Sequence, residues 1–545
     1  MDSYPALVLA RLTEFFAASP VPWPRRLWGI GSILALEELW EAGRWEALGV
    51  LTPAATDWQR CELRAVTGPD VGLGERELRR ELTELLNQRL PDPSAARRRL
   101  RQVIDHARVG YLERWAQAVH RPDRPKAERL SRTVAAHLLD LGYSQEYLLR
   151  WASQLRQARA AATEIVESAA ELAGGSEHEY EVLVGLAKVP QRSRLAEPLE
   201  NWRSKAQVID WLRQHGHVTV GVRTGGGFVY RFVTRDPHGA AAQARQMVDR
   251  LVARSAFLRR DRGGVEPLPY VWVAEHPEPI SLVPAARGAE VLSLVHEGHM
   301  YRVDGTRSPV DDALELAAPL NQGALGPAVA GGWAAVESPL FNPDDPLEEE
   351  RSGRAVAADR LAAIITCSWP RAELTSLAHH HRPKEPDELT KHLADCATNR
   401  DRARVVAQAL TEGLTLDFTG NRDRDAERAA AERMTALLGD TRRTLCDVRK
   451  AFTVAVRRFY RARNIVLHGG SVRGVALDAS LRTGAPLIGA GLDRITHAAL
   501  VERLQPLDLA ARAEASLRLV AGETGLSVVD LLEQPALSPN PRAAR

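Results

Sequence analysis

The sequence predicts a mainly α-helical protein, and two kinds of periodicity support this prediction. Between Leu445 and Val466, apolar side chains recur every three or four residues, which is the spacing of one buried face of an α-helix. Between His217 and Thr234, apolar and polar residues alternate on either side of a triple glycine, which is typical of a β-hairpin. The predicted segments are a helical N-terminal region over 1–204, a small α+β domain over 205–318, a C-terminal helical bundle over 324–522 and a disordered tail over 533–545.

The length and the charge balance limit the possible functions. A chain of 545 residues is too long for one ordinary core, so we expect about two to four domains. Its content of 45% hydrophobic and 26% charged residues is that of a globular protein. The formal net charge of +2 excludes a strong overall field that would attract nucleic acid. Any affinity for RNA must therefore come from local patches.

Four cysteines are scattered along the chain at Cys61, Cys367, Cys396 and Cys446. No pair has the C-x-x-C spacing, so the sequence predicts neither a zinc site nor a disulfide framework. This usage fits a reducing cytoplasm. The N-terminal segment lacks a basic lead and Arg11 interrupts its apolar run, which argues against a secretory signal. No run approaches the roughly 20 apolar residues of a membrane span, so we expect a cytoplasmic protein with no membrane partner.

Four arginines crowd the first turns of a helix that is predicted to begin after Asp92-Pro93-Ser94. These arginines are Arg97, Arg98, Arg99 and Arg101. Positive charge at a helix N-terminus opposes the helix dipole, which suggests an acidic neighbour or an anionic partner. Two interpretations follow: the arginines pair with acidic residues of the same chain or face solvent, or they bind an RNA backbone.

The central region offers no ligand-binding signature. The triple glycine at 225–227 is not followed by G-K-[ST], so a hairpin turn explains it better than a phosphate loop. A helix is predicted over 238–257, a strand over 269–275 and a second hairpin over Val291–Val303. We can assign no ligand to this domain from its sequence.

The densest histidine cluster is His379-His380-His381. Adjacent histidines do not share a helical face, and no second ligand pair stands at a suitable spacing. A solvated helix end explains the cluster better than a metal site. We therefore predict no metal and no cofactor.

The stretch most informative about function is RRFYRARNIVLHGG, over Arg457–Gly470. The double glycine predicts that the long C-terminal helix ends near Leu467 or His468. Tyr460, Asn464 and His468 are successive i,i+4 neighbours and share one polar edge, with Arg463 one position away.

These side chains provide the groups that metal-independent RNA cleavage requires. The imidazole of His468 can take or give a proton near neutral pH. The guanidinium of Arg463 can hold a phosphate in a planar fork, and Asn464 can orient the imidazole. The alternative is structural: His468 is then a helix-terminal cation that faces the dipole, and the arginines form a solvated edge. Spacing alone leaves both interpretations open.

RARNIVLHGG resembles the R-N-x-x-x-H signature of the HEPN superfamily, most closely its ApeA-like branch in prokaryotic defence proteins. The segment GGWAAVESPL, from Gly331 to Leu340, resembles the first-helix segment of that branch. The resemblance covers about the last two-fifths of the chain. It implies a HEPN-like helical bundle that dimerises and cuts RNA in a composite cleft, with Arg463 on phosphate, Asn464 positioning and His468 transferring the proton.

The resemblance therefore implies an endoribonuclease that acts as a toxin or effector in antiviral defence. Supporting roles are expected for Tyr460, Glu337, Arg457 and Arg461, with Glu337 at a less specific position. The implied partners are RNA, a second copy of the chain, and a phage-derived trigger or regulatory protein. Some members of the family lack nuclease activity, so a non-catalytic scaffold or an RNA-sensing module remains the alternative.

Overall fold

A computed structural model describes residues 3–17, 21–189, 199–257, 264–290, 308–344, 355–421, 423–520 and 525–533, and the single positions 298, 301, 305 and 522. The predicted hairpin at Val291–Val303 and the predicted tail at 533–545 lie outside the described residues, apart from positions 298, 301 and 533. The fold is mainly helical with one small antiparallel sheet, as the sequence predicted.

The N-terminal region is a helical domain around one hydrophobic core. Its helices are α1 (Tyr4–Phe16), α2 (Ser32–Ala47), α3 (Pro53–Thr67), α4 (Arg76–Leu86), α5 (Ala95–Arg108), α6 (Tyr111–Val119), α7 (Ala127–Asp140), α8 (Gln145–Ala158) and α9 (Ala162–Gly174), with 3₁₀ helices at Trp23–Arg25 and Val71–Leu73. The predicted start of α5 is confirmed, because the Ser94 hydroxyl accepts a hydrogen bond from the Arg97 backbone N–H at 3.1 Å.

The sheet has five antiparallel strands in the order β2-β3-β1-β4-β5. The strands are β1 (His178–Lys188), β2 (Trp202–Ser204), β3 (Gly226–Thr234), β4 (Glu266–Val273) and β5 (Ile280–Ser281). Two helices, α10 (Lys205–Gln214) and α11 (Pro237–Ala256), cover opposite faces of the sheet. The predicted helix over 238–257 and the predicted strand over 269–275 are thus largely confirmed.

The predicted hairpin at His217–Thr234 is wrong. Only Gly226–Thr234 forms a strand, and it pairs with β1 rather than with the preceding residues. The glycines serve close approach rather than a hairpin turn: a Cβ on Gly226 would lie 2.3 Å from the Trp202 ring, and one on Gly227 would lie 2.6 Å from the Val184 carbonyl oxygen. Gly226 also has φ +150°, in the region that favours glycine.

The predicted boundaries of the α+β domain also require correction. Its central strand begins at His178, inside the region predicted as helical up to residue 204. The local sequence does not show that this strand belongs to the domain, because its pairing partners, β3 and β4, lie much later in the chain. At the other end, the helix over Pro309–Gln322 packs into the core of the bundle rather than against the sheet.

The C-terminal bundle has a core that includes residues from Val310 to Leu532, beyond the predicted 324–522, and also Trp28 of the N-terminal region. Its helices are α12 (Pro309–Gln322), α13 (Leu325–Leu340), α14 (Ala355–His380), α15 (Glu388–Asp395), α16 (Asn399–Thr411), α17 (Arg424–Gly439), α18 (Thr441–Leu467), α19 (Leu477–Leu500) and α20 (Pro506–Leu519). Helix α18 packs against α13, α14, α17 and α19, and its predicted apolar face is buried. None of the helices in the described part of the chain is long and apolar enough to span a membrane.

A buried ion-pair network joins the two helical domains at Arg25 (defined here as the Arg25 network). Arg25 Nε donates to Glu373 Oε1 of α14 at 2.6 Å, and its two Nη atoms donate to both carboxylate oxygens of Glu427 of α17 at 2.8 Å. The side chains of Arg25 and Glu373 are 4% and 0% exposed. The two domains therefore share a desolvated polar interface.

One buried histidine of the N-terminal domain predicts a dependence of stability on pH. His137 is 4% exposed and stacks on Tyr111, with ring centroids 4.5 Å apart. Burial, together with the charge of Arg108, lowers the pKa of His137 to about 4. Because the folded pKa lies below the unfolded value, the neutral imidazole stabilises the fold above about pH 6.5, and this stabilisation is lost as the pH falls towards 4.

Between pH 7 and pH 4.5, we expect His137 to account for about 2.5 kcal/mol of lost unfolding free energy. Urea unfolding of the wild type and of His137→Leu at both pH values measures this difference, because leucine cannot be protonated. An equal loss of stability in both proteins would contradict the assignment.

Candidate functional site at the end of helix α18

Helix α18 ends at Leu467, so the predicted end is confirmed, and His468 is its C-cap residue. The two glycines that follow have different roles. A Cβ on Gly469 would lie 2.6 Å from the Ile465 carbonyl oxygen and 2.8 Å from Trp45 Cζ3. Gly470 has φ +61°, the left-handed conformation that terminates helices. The double glycine thus leaves the His468 side chain exposed at the helix end.

The three residues of the R-N-x-x-x-H pattern lie in direct contact. Arg463 Nη1 donates to Asn464 Oδ1 at 2.9 Å and lies 3.1 Å from His468 Nε2. A guanidinium can only donate, so in this geometry Nε2 carries the lone pair and the imidazole proton is assigned to Nδ1. The Asn464 side chain therefore orients the guanidinium, not the imidazole as the sequence suggested. The Arg463 side chain is 12% exposed, whereas His468 lies at the surface.

Helix α13 contributes two further side chains to this site. Glu337 Oε2 lies 3.8 Å from Arg463 Nη2 and accepts a hydrogen bond from Trp333 Nε1 at 2.7 Å. The Trp333 ring packs against Tyr460, with centroids 4.6 Å apart. The structure thus places Glu337 beside Arg463, and it places Tyr460 against Trp333, which is hydrogen-bonded to Glu337. Trp333 received no role from the sequence, although its i,i+4 spacing to Glu337 was a usable signal.

We define the Arg463 cluster by its six side chains, which are Trp333, Glu337, Tyr460, Arg463, Asn464 and His468. It combines an exposed imidazole with a guanidinium whose position is set by an amide and a carboxylate. Such a set can move a proton and bind an anion.

Arg457 and Arg461 do not join the cluster. Arg457 makes two hydrogen bonds to Asp359 of α14, of 2.9 and 2.5 Å, and its guanidinium lies over Trp58. Arg461 donates twice to Glu38 Oε1 of α2, at 3.1 and 2.7 Å. Both arginines are buried, so they attach α18 to its neighbours rather than face the site.

Glu38 is a buried carboxylate between two arginines of α18. Its other oxygen accepts from Arg458 Nε at 3.0 Å. Burial alone would raise the pKa of Glu38, but the charges of Arg461 and Arg458 hold it below its ordinary value. Helix α2 is therefore ion-paired to the same helix that carries the Arg463 cluster.

Helix α2 also contacts the residues that follow α18. The Val475 backbone N–H donates to Glu41 Oε2 at 3.0 Å. The Trp45 ring packs on Gly469, and a cavity of about 20 Å³ remains between α2 and the end of α18. These contacts were not predicted, because they join residues more than 400 positions apart.

The α5 arginines are mostly engaged within the chain. Arg97 pairs with Asp92 at 2.8 Å, Arg99 pairs with Glu81, and Arg101 pairs with Glu37 at 3.2 Å and with Asp105 at 2.8 Å. Arg98 alone of the four is exposed without an ion pair to a described residue. This pattern favours the first of the two interpretations, intramolecular pairing, for three of the four.

The histidine cluster at the end of α14 has separate partners. His381 is buried, its Nε2 lies 3.1 Å from Asp387 Oδ1, and its Nδ1 accepts from the Asp417 backbone N–H at 3.1 Å. The predicted solvated helix end is thus wrong for His381, because the loop before α17 covers it. Among the residues described, no three histidine, cysteine or acidic side chains are grouped so that they could hold a metal ion.

Comparison of the chain with protein-family models, with curated proteins and with solved structures finds no match.

Proposed function

We propose that the chain is a HEPN-type endoribonuclease that cleaves RNA without a metal ion, with Arg463, Asn464 and His468 as its catalytic residues. The observation that supports this most is the contact of Arg463 Nη1 with both Asn464 Oδ1 and His468 Nε2, at a helix end where the imidazole is exposed. A phosphate that reaches His468 also reaches the guanidinium beside it.

In the proposed reaction, a ribose 2′-hydroxyl attacks the adjacent phosphorus and the bond to the 5′-oxygen breaks. His468 Nε2 accepts the 2′-hydroxyl proton when Arg463 turns from the imidazole to the phosphate. Arg463 then stabilises the negative charge that develops on the non-bridging oxygens. The products are a 2′,3′-cyclic phosphate and a 5′-hydroxyl, whose oxygen must receive a proton from an acid.

The need for both a base and an acid supports a homodimer. One Arg463 cluster contains one imidazole, and one imidazole cannot accept and donate a proton in the same step. A second copy of the chain that presents its own His468 to the same phosphate would provide the acid. We therefore propose a composite site made by two chains, which also agrees with the family resemblance.

The proposed biological role is that of a cytoplasmic toxin or effector in prokaryotic antiviral defence, under the control of a phage-derived trigger or a regulatory partner protein. This part of the proposal depends on the resemblance of RARNIVLHGG and GGWAAVESPL to the ApeA-like branch.

Incubation of the purified protein with RNA in the presence of EDTA tests the proposed chemistry. We expect cleavage to persist, with cyclic phosphate ends, because nothing in the proposed steps uses a divalent ion. Loss of cleavage in EDTA that magnesium restores would contradict the metal-free mechanism.

A non-catalytic scaffold or RNA-sensing module is the second candidate. It is favoured by the fact that Arg463 already has three polar neighbours and is only 12% exposed. For that candidate, RNA stays intact at any protein concentration and the biological effect survives His468→Ala.

A further inference from the structure

Two exposed arginines belong to different segments that meet at the end of α18. Arg44 belongs to α2 of the N-terminal domain, and Arg473 belongs to the loop that joins α18 to α19. Neither forms an ion pair with another described residue. The Arg44 guanidinium lies over the Trp45 ring, 5.4 Å from its centroid, and its charge acts on the Glu41 carboxylate without forming a hydrogen-bonded ion pair. Both guanidinium groups therefore keep donors with which to bind a phosphate.

The packing of α2 explains why Arg44 lies close to the site. Glu41, Arg44 and Trp45 are spaced i, i+3 and i+4, so they share one side of α2. On this side, Glu41 accepts the Val475 backbone N–H, and Trp45 contacts Gly469, the residue after His468. Arg44 is therefore held next to the loop that follows α18.

The position of Arg473 follows from its two chain neighbours. A Cβ on Gly326, at the start of α13, would lie 3.3 Å from Val472 Cγ1. A Cβ on Gly474 would lie 3.8 Å from Glu41 Oε2 of α2. The loop thus lies between α13 and α2, and Arg473 is exposed between the two residues that approach these helices.

Arg97 of α5 packs beside Arg44, since a Cβ on the preceding Gly43 would lie 3.1 Å from Arg97 Nε. The Arg97 guanidinium lies over the Trp40 ring, 4.1 Å from its centroid, and donates from Nε to the Trp40 carbonyl at 2.9 Å. Burial lowers the pKa of Arg97, and the nearby charge of Arg44 adds to this effect while Asp92 opposes it. The two guanidinium groups are thus near neighbours, but Arg97 is buried and paired with Asp92, so only Arg44 faces a ligand.

We propose that Arg44 and Arg473 bind the phosphates that flank the cleaved phosphodiester, and that the substrate is single-stranded RNA lying across the junction of α2 and α18. The inference rests on the proposed function only for the position of the cleaved bond. A single strand can bend inwards to bring one phosphate to the recessed Arg463, whereas a duplex presents its phosphates on a stiff surface.

Binding of a 2′-O-methyl RNA of about twelve nucleotides tests this proposal, because that RNA lacks the attacking hydroxyl. Fluorescence anisotropy at several salt concentrations gives the affinity and its salt dependence. For Arg44→Gln/Arg473→Gln, we expect binding about tenfold weaker and a log–log salt slope shallower by about 1.4, since each lost phosphate contact contributes about 0.7 for a single strand. Arg44→Lys/Arg473→Lys should retain most of the slope.

A matched control is Arg442→Gln/Arg443→Gln, which removes two exposed arginines from the first turn of α18, the helix that carries Arg463. They lie about 30 Å from Arg463 along α18. The proposal is overturned if the control weakens binding as much as the test variant, if the test variant leaves the slope unchanged, or if duplex RNA binds as tightly as the single strand.

The proposed nuclease activity and the proposed phosphate binding by Arg44 and Arg473 can be rejected independently of each other. Wild-type protein that binds the RNA through Arg44 and Arg473 but leaves an unmodified RNA intact supports this inference and rejects the nuclease. Wild-type protein that cleaves RNA while the glutamine variant binds normally rejects this inference alone.

Discussion

Replacement of His468 by alanine is expected to lower the rate of RNA cleavage about a thousandfold, because the site of each chain then lacks its only proton-transferring imidazole. The fold should change little. His468 is exposed, and the one hydrogen bond of its side chain to a described residue is with Arg463, so we expect the unfolding free energy to shift by less than about 0.5 kcal/mol. Cleavage rates and urea midpoints of the same preparations measure both quantities.

His379→Ala is the matched control for this experiment. His379 is also exposed near the end of a helix of the bundle, but it contacts Asn399 and lies outside the Arg463 cluster. Its replacement should leave cleavage unchanged. Equal cleavage by wild type and His468→Ala would reject His468 as a catalytic residue.

Arg463→Lys extends the same test to the guanidinium. Lysine keeps the charge but has only one nitrogen, so it cannot reproduce a planar group whose Nη1 contacts Asn464 and His468 while its Nη2 faces Glu337. We expect a loss of about a hundredfold in cleavage rate, as for removal of a preorganised donor to a developing negative charge. Retention of full activity would indicate that a point charge is sufficient.

Replacement of Arg25 by methionine is expected to destabilise the protein by about 3–5 kcal/mol, because the Arg25 network then contains buried carboxylates without their main partner. Burial alone would raise the pKa of Glu373, and the charges of Arg25 and Arg433 hold it below its ordinary value. Without Arg25, this carboxylate and that of Glu427 repel each other in a dry interface. The expected result is a lower urea midpoint at pH 7.

Two comparisons determine whether the loss of stability in Arg25→Met comes from the buried charges. Arg213→Met removes an exposed arginine that pairs with Asp210 at 3.2 Å, and it should change stability by less than about 1 kcal/mol. Arg25→Met combined with Glu427→Gln should lose less than the sum of the two single variants, because one unpaired charge is removed with its partner. Additive losses would indicate that the two residues do not interact.

The polar edge of α18 shows how far local sequence can predict a site. The helix end, the shared edge of Tyr460, Asn464 and His468, and the proximity of Arg463 all depend on helical periodicity and on glycine. Both are properties of about ten consecutive residues. The structure agrees with the predicted helix end and with the proximity of Arg463 to Asn464 and His468, and it differs in the partner of the Asn464 side chain.

The arginines on the other sides of α18 illustrate what local sequence could not predict. Arg457 and Arg461 resemble Arg463 in the sequence, yet Asp359 and Glu38 bind them in the interior. Their partners lie about 100 and more than 400 residues away in the chain, so no local pattern identifies them. The same reason explains the missed pairing of β1 with β3.

The sequence by itself determined a mainly helical protein with a small sheet and an imidazole beside a guanidinium at one helix end, because these follow from contacts within a few turns. Only the tertiary structure decided which arginines remain available to a ligand, since that depends on which acidic residues the fold brings to them. It also showed that helix α2 of the N-terminal domain packs against the end of α18, through Glu38, Glu41 and Trp45.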